Sequence, residues 1–286
     1  MHPTGPKIGA SRLTRIVSKV EVERKFNLGP NFASVFLSED WTQSRTRHRK
    51  VYNNQGGPSF IAANLPGEII RDIYYDTQNS RLSTLGLWVR QRQAQSFPLD
   101  YDHGATSKVG VVLAQDASQK PQWNAKLRLG GHYNNSEFLE IDGKKKVADE
   151  VLRITGANTR LEDLQVVTDL QTRRLSWEVA QLADGTIPSA KMTIVMDEVT
   201  EAKAMAENDR PAESAFTHII GEVELFQEFA TEGVGKAAHE TQRKKIAALR
   251  MGELKEFMTA NSKLFATTPT PIGKLTAYEM WKSSHA

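Results

Sequence analysis

Polar and apolar side chains alternate along much of this chain, and the alternation has a period of two. Lys19-Val20-Glu21-Val22-Glu23-Arg24-Lys25-Phe26 sets Glu21, Glu23 and Lys25 on one face and Val20, Val22 and Phe26 on the other, the signature of a strand. The pattern returns around Arg71–Thr77 and Leu85–Arg92, where Trp88, Arg90 and Arg92 share a face opposite Leu87 and Val89. It is cleanest in Trp123–Leu129, with Asn124, Lys126 and Arg128 opposite Trp123, Ala125, Leu127 and Leu129. Glu137–Ile141 presents Glu140 between Leu139 and Ile141. Leu170–Val179 presents Thr172, Arg174, Ser176 and Glu178, and Lys191–Val199 presents Lys191, Thr193 and Asp197. Ile219–Phe226 presents Glu222 and Glu224 opposite Val223 and Leu225. On this face Asp197 fits and Glu198 does not, and Arg174 fits in preference to Arg173. A set of strands that is apolar on one side and densely charged on the other predicts a closed barrel with a charged lumen, its apolar outside covered by helices.

Helical spacing predicts those covers at Asn31–Trp41, Val147–Ile154 and Leu161–Val167. From about Gly233 the period changes, with Ala237, Ile246, Leu249, Leu254, Phe257 and Met258 on helical stripes, and a last short helix is expected over Leu275–Lys282. Gly130-Gly131 reads as a chain reversal and Lys144-Lys145-Lys146 as a solvated turn. The stretches at about 42–70, 94–122 and 200–217 read as long loops, and residues 1–15 as a flexible tail ahead of one domain over 16–284.

Composition narrows the chemistry. The chain of 286 residues has no cysteine, which removes disulfides, thiolate nucleophiles and cysteine-bound zinc. Its net charge of +3 is small beside 37 basic and 34 acidic residues, so any functional charge lies in arrangement. The basic cluster Arg45, Arg47, His48, Arg49, Lys50 lacks interleaved aromatic residues and reads as a solvated loop, and no nucleic-acid partner is expected. No apolar run is long enough to span a bilayer, and a cytoplasmic monomer is expected. The seven histidines are scattered without ligand spacing, and no Gly-x-x-x-x-Gly-Lys-Ser/Thr loop occurs.

The charged faces themselves carry the argument. Glu21/Glu23 and Glu222/Glu224 place like charges about 7 Å apart on one face, which repel unless a cation lies between them. Oxygen ligands without cysteine suit Mg²⁺ or Mn²⁺. Arg90/Arg92 and Lys126/Arg128 repel likewise unless an anion fills the space, and arginine forks match phosphate oxygens. Metal beside rows of basic groups describes a site for a polyphosphate chain.

These residues also resemble a known family. Glu21-Val22-Glu23-Arg24-Lys25 matches the Glu-x-Glu-x-Lys signature of the CYTH, or triphosphate tunnel metalloenzyme, superfamily. Supporting segments follow in the family's order: Tyr74-Tyr75-Asp76-Thr77, Trp88-Val89-Arg90-Gln91-Arg92, Lys126, Glu140, Arg174, Asp197 and Gly221-Glu222-Val223-Glu224. Trp88 before Arg90-x-Arg92, with Lys274 in the late segment Pro271–Tyr278, is most similar to the thiamine triphosphatase branch. The resemblance implies an α+β fold, a closed eight-stranded antiparallel β-barrel with helices outside, and a Mg²⁺-dependent hydrolase of a small-molecule triphosphate, thiamine triphosphate first. It implies catalytic roles for Lys25, Arg90, Arg92 and Arg174, and substrate binding by Trp88, Lys126, Arg128, Glu140 and Lys274. Metal binding would fall to Glu21, Glu23, Asp197, Glu222 and Glu224. Inorganic tripolyphosphate, a nucleoside triphosphate (including its cyclisation) and a non-catalytic polyphosphate-binding module are the alternatives.

Overall fold

The computed structural model describes residues 15–37, 49–52, 60–97, 120–132, 135–181, 190–202, 215–233 and 235–285. Their elements in chain order are β1 (Arg15–Phe26), α1 (Pro30–Phe36), β2 (Arg49–Tyr52), β3 (Phe60–Asn64), β4 (Gly67–Asp76), α2 (Arg81–Thr84), β5 (Leu87–Phe97), β6 (Gln122–His132) and β7 (Asn135–Asp142). There follow α3 (Lys144–Thr155), β8 (Gln165–Gln181), β9 (Lys191–Glu201), β10 (Thr217–Glu232), α4 (Lys236–Ala260) and α5 (Lys274–His285).

Eight strands close on themselves. The ladders run β8-β4-β5-β6-β7-β1-β10-β9, and β9 pairs back onto β8. Every one of these pairings is antiparallel. Closure leaves the barrel strands without open edges and forces alternate residues inward and outward. The 17-residue β8 outruns β4, and β3 pairs with its far half, with β2 on β3. The barrel thus carries a short sheet extension.

The outward apolar residues need cover, and three helices supply it. Val20, Val22 and Phe26 of β1 and Val223 and Leu225 of β10 join Phe32 and Phe36 of α1 and Ala247, Leu254 and Met258 of α4 in the largest cluster. Leu87, Val89, Ala125 and Ile141 pack with Val147 and Val151 of α3. The third cluster differs in kind: Leu170 and Val199 lie with Phe216 and with Tyr278 of α5. Leu170 shares the inward face of β8 with Thr172 and Arg174, so here apolar groups plug one side of the lumen and α5 seals it. Asp76 turns the chain at the end of β4, its carboxylate accepting from the backbone N–H of Leu82 (2.8 Å) and Ser83 (3.0 Å). Gly221, opposite Phe26 in the ladder, is required by contact: a Cβ there would lie 2.2 Å from the Phe26 ring.

Several local expectations are corrected. The stretch 42–70 holds β2, β3 and the start of β4; the run Phe60-Ile61-Ala62-Ala63 is apolar on both faces and shows no alternation to read. Gly130 and Gly131 lie within β6 beside a register shift and do not reverse the chain. Lys144–Lys146 are exposed as expected, but they form the first turn of α3, because Gly143 supplies the positive φ of 96° that starts it. Leu161–Val167 is a single 3-10 turn at Leu161–Asp163 followed by β8 from Gln165. On α4, Leu249 is 56% exposed and Ala237 is exposed, while Arg250, with its charge tied to Glu253, is buried. The N-terminal tail (apart from Arg15), Trp41, the basic residues 45–48, most of the 94–122 loop and residues 203–214 lie outside the described residues.

Candidate active site

The lumen encloses a cavity of about 460 Å³. Its lining includes Glu21, Glu23, Lys25, Trp88, Arg90, Arg92, Lys126, Arg128, Glu140, Arg174, Glu222, Glu224 and Lys274, so alternation on six strands and the first residue of α5 converge on one space. Asp197 alone among the residues named from sequence does not line it. It sits behind Arg174, whose Nε and Nη2 donate to its two oxygens at 2.7 Å each.

The ladders show why these groups meet. Glu23 lies directly opposite Glu224 and Lys25 opposite Glu222, because β1 and β10 pair along the whole of β1. Lys126 lies opposite Trp88 on one side and Glu140 on the other. Asp72 lies opposite Arg92, and Tyr74 opposite Arg90. Followed around the barrel with allowance for strand tilt, these registers put Glu23, Phe138, Lys126, Arg90, Asp72, Thr172, Asp197 and Glu222 in one inward layer. Trp88, Arg128 and Lys25 lie in the layer toward the end of β1, and Glu21, Arg92, Arg174 and Glu224 in the layer toward its start.

Burial on this scale demands pairing. Lys126 donates to Glu21 at 2.7 Å and Glu23 at 3.4 Å, and Lys25 bonds Glu23 and meets Glu222 at 3.0 Å. Burial would lower both ammonium groups, but their carboxylate partners hold them above the usual lysine range. Burial would raise Glu222, yet Lys25, Arg174, Lys126 and Lys274 hold it well below the carboxylate range. Glu224 is the exception. Burial, with Glu21 and Glu222 nearby, outweighs Arg174 and pushes its carboxyl up to about 8.

That imbalance is the test of fit for a metal ion. Among the described residues no three ligating side chains form a ready-made metal cage, because the Lys25 and Lys126 ammonium groups stand between the carboxylates. The donors are nevertheless all oxygen, Glu23 and Glu224 face each other across one ladder, and Arg174, 3.7 Å from Glu224, does not offset the burial of that carboxyl. A hard divalent cation suits that set.

Two buried aspartates stand in the same ring, Asp72 on β4 across from β1 and Asp197 on β9 beside β10. Asp72, fully buried, accepts from Arg92 Nε (2.7 Å) and Nη2 (2.6 Å) and lies 3.5 Å from Arg90. Lys274 reaches both Asp72 (3.6 Å) and Asp197 (3.9 Å). Sequence reasoning missed Asp72, although it shares the face of Tyr74 in the alternation of β4. Phe138 and Phe226 were missed as well; as inward aromatics they give no charge signal. Trp88 packs edge-on against Phe138 at 5.8 Å, and Arg128 lies over the Trp88 ring at 5.6 Å.

A model of the CYTH domain matches residues 62–248, and the chain belongs to the CYTH family. β1 precedes the matched span, but its ladders with β10 and β7 seat it in the same barrel. No curated protein matches the chain. Among solved structures, similarity extends to a Hippeastrum protein described as a candidate adenylyl cyclase with a dominant triphosphatase activity. That pair has 11% identity and a TM-score of 0.40, covering 93% of this chain and 96% of the other. A Pyrococcus horikoshii protein, PH1819, has 13% identity and a TM-score of 0.33, covering 82% and 89%. A candidate adenylate cyclase from Bacillus halodurans has 12% identity and a TM-score of 0.34, covering 82% and 91%. Similarities of this size do not bear on what the chain acts on.

Proposed function

We propose that this chain hydrolyses the terminal phosphate of a small triphosphate with a divalent metal ion, and that thiamine triphosphate is its first candidate substrate. The observation that carries the reading is one lumen in which four glutamates of the adjacent strands β1 and β10, Glu21, Glu23, Glu222 and Glu224, stand among six cations, Lys25, Arg90, Arg92, Lys126, Arg174 and Lys274. Lys25, Arg90, Arg92, Lys126, Arg174 and Lys274 would hold the triphosphate and match the charge that develops on the leaving diphosphate. Glu21, Glu23, Glu222 and Glu224 would hold the metal, with Asp197 bracing Arg174 beside them. Bound there, magnesium or manganese would neutralise phosphate charge and polarise the phosphoryl oxygens. Trp88 and Phe138 offer an aromatic wall for an organic head group.

A second reading has its own observation. Arg128 already lies over Trp88, so one face of the ring is beside a cation. This favours an anionic group at that position and makes inorganic tripolyphosphate the rival substrate. The deciding experiment is phosphate release with Mg²⁺ from thiamine triphosphate, tripolyphosphate and ATP at equal concentration. Preference for thiamine triphosphate is expected; preference for tripolyphosphate moves the assignment to the second reading. Binding of all three without release would leave a polyphosphate-binding module.

A further inference from the structure

Two arginines of the cavity lining are gripped in the same way from behind. Asp72 takes Nε and Nη2 of Arg92, and Asp197 takes Nε and Nη2 of Arg174, both by two-pronged contacts of 2.6–2.7 Å. In each case Nη1 is left out of the grip. Neither aspartate lines the cavity, whereas both arginines do. Asp72 further meets Arg90 at 3.5 Å and Lys274, which comes from a different element, at 3.6 Å. One carboxylate with no exposed surface therefore touches three cations of the cavity wall.

An arginine beside a cavity has several rotatable bonds, and three neighbouring cations repel. Held by charge alone, they would splay apart or turn toward water. A buried two-pronged acceptor removes that freedom and sets the plane of the guanidinium. Burial would raise the Asp72 carboxyl, but Arg90, Arg92 and Lys274 hold it well below the usual range, so it stays an anion at any working pH. Asp72 lines none of the cavity, so an anion bound there would meet its arginine partners and not Asp72 itself.

We propose that Asp72 is a positioning residue that orients Arg92, and with it Arg90 and Lys274, toward the transferred phosphoryl group. The proposal rests on the triphosphatase reading for its kinetic part only. Ground-state attraction of a triphosphate depends chiefly on the number of cations, which Asp72→Asn leaves unchanged. Stabilisation of the transition state depends on their placement, which it disturbs.

The test compares wild type with Asp72→Asn, Arg92→Ala and the double variant in phosphate release from the best triphosphate. It is joined to ¹⁵N spectra of the arginine Nε–H groups. Asp72→Asn is expected to lower kcat by about tenfold or more with KM changed by less than about threefold, and to add little in the Arg92→Ala background. The Arg92 Nε–H signal should be exchange-protected in wild type and lose that protection in Asp72→Asn, while the Arg174 signal keeps it. Unchanged kcat per folded molecule, full additivity with Arg92→Ala, or a protected Arg92 signal in Asp72→Asn would each overturn the proposal. Should Asp72→Asn not fold, Asp72→Glu keeps the anion but shifts the acceptor of the two-pronged grip by one methylene, and it must show the same kcat loss with KM little changed. If wild type releases no phosphate at all, the triphosphatase reading fails, and the Nε–H spectra alone decide whether Asp72 orients Arg92.

Discussion

At the scale of single residues, the lumen works by opposing burial with charge. Asp72 shows the consequence for pH. Its folded pKa lies below the unfolded value of 3.8, so its contribution to stability is present above that value and is lost as pH falls through the folded one. Removing one partner of a buried ion cluster costs about 3–5 kcal/mol, so near neutral pH Asp72→Asn should unfold at a clearly lower denaturant concentration. The gap should narrow in acid, where wild type loses the same interaction; a constant gap would mean that the charge of Asp72 is not what stabilises. Trp88 carries a different expectation. Trp88→Ala should impair turnover of thiamine triphosphate about tenfold more than that of tripolyphosphate, since only the former has a ring to stack. An equal loss for both would end the stacking role.

At the scale of elements, α5 places Lys274 without belonging to the barrel. Tyr278 fastens it: the hydroxyl donates to Glu201 at 2.7 Å, and the ring meets Phe216 at 5.1 Å between centroids. Burial and the bond to Glu201 push the phenol up to about 12, so it donates throughout the ordinary pH range. Tyr278→Ala is expected to free α5 from β8–β10, raising KM for the triphosphate while the barrel melts nearly as before. Limited proteolysis should then cut before α5 sooner than in wild type. The β1–β10 ladder gives the converse case. Gly221→Ala drives a methyl group into the Phe26 ring, and overpacking of this kind costs about 1–3 kcal/mol, read as a lower melting temperature.

At the scale of the whole molecule, the barrel gathers charges from sequence positions 21 to 274 into one space, and a cation that binds there should stabilise the entire fold. Magnesium is expected to stabilise wild type by about 2.7 kcal/mol at a hundredfold excess over its dissociation constant, read as a higher melting temperature, and to leave Glu23→Ala nearly unmoved. Equal shifts in both proteins would remove Glu23 from the metal-holding set. The strands, their inward faces and most of the cavity lining were legible in the sequence, because alternation with a period of two is a local property that a half-buried strand imposes on its own residues. The Glu-x-Glu and Arg-x-Arg pairs were legible for the same reason. β3 and the start of β8 were not, since their apolar residues occupy both faces or stand exposed at a strand end, and neither arrangement leaves a period. Nor could local spacing tell that Asp197 stands behind Arg174, or that Asp72 grips Arg92. Which acid meets which base depends on ladder register and barrel tilt, and these are set by closure of all eight strands together. The sequence by itself determined which residues face inward; only the tertiary structure decided which of them touch.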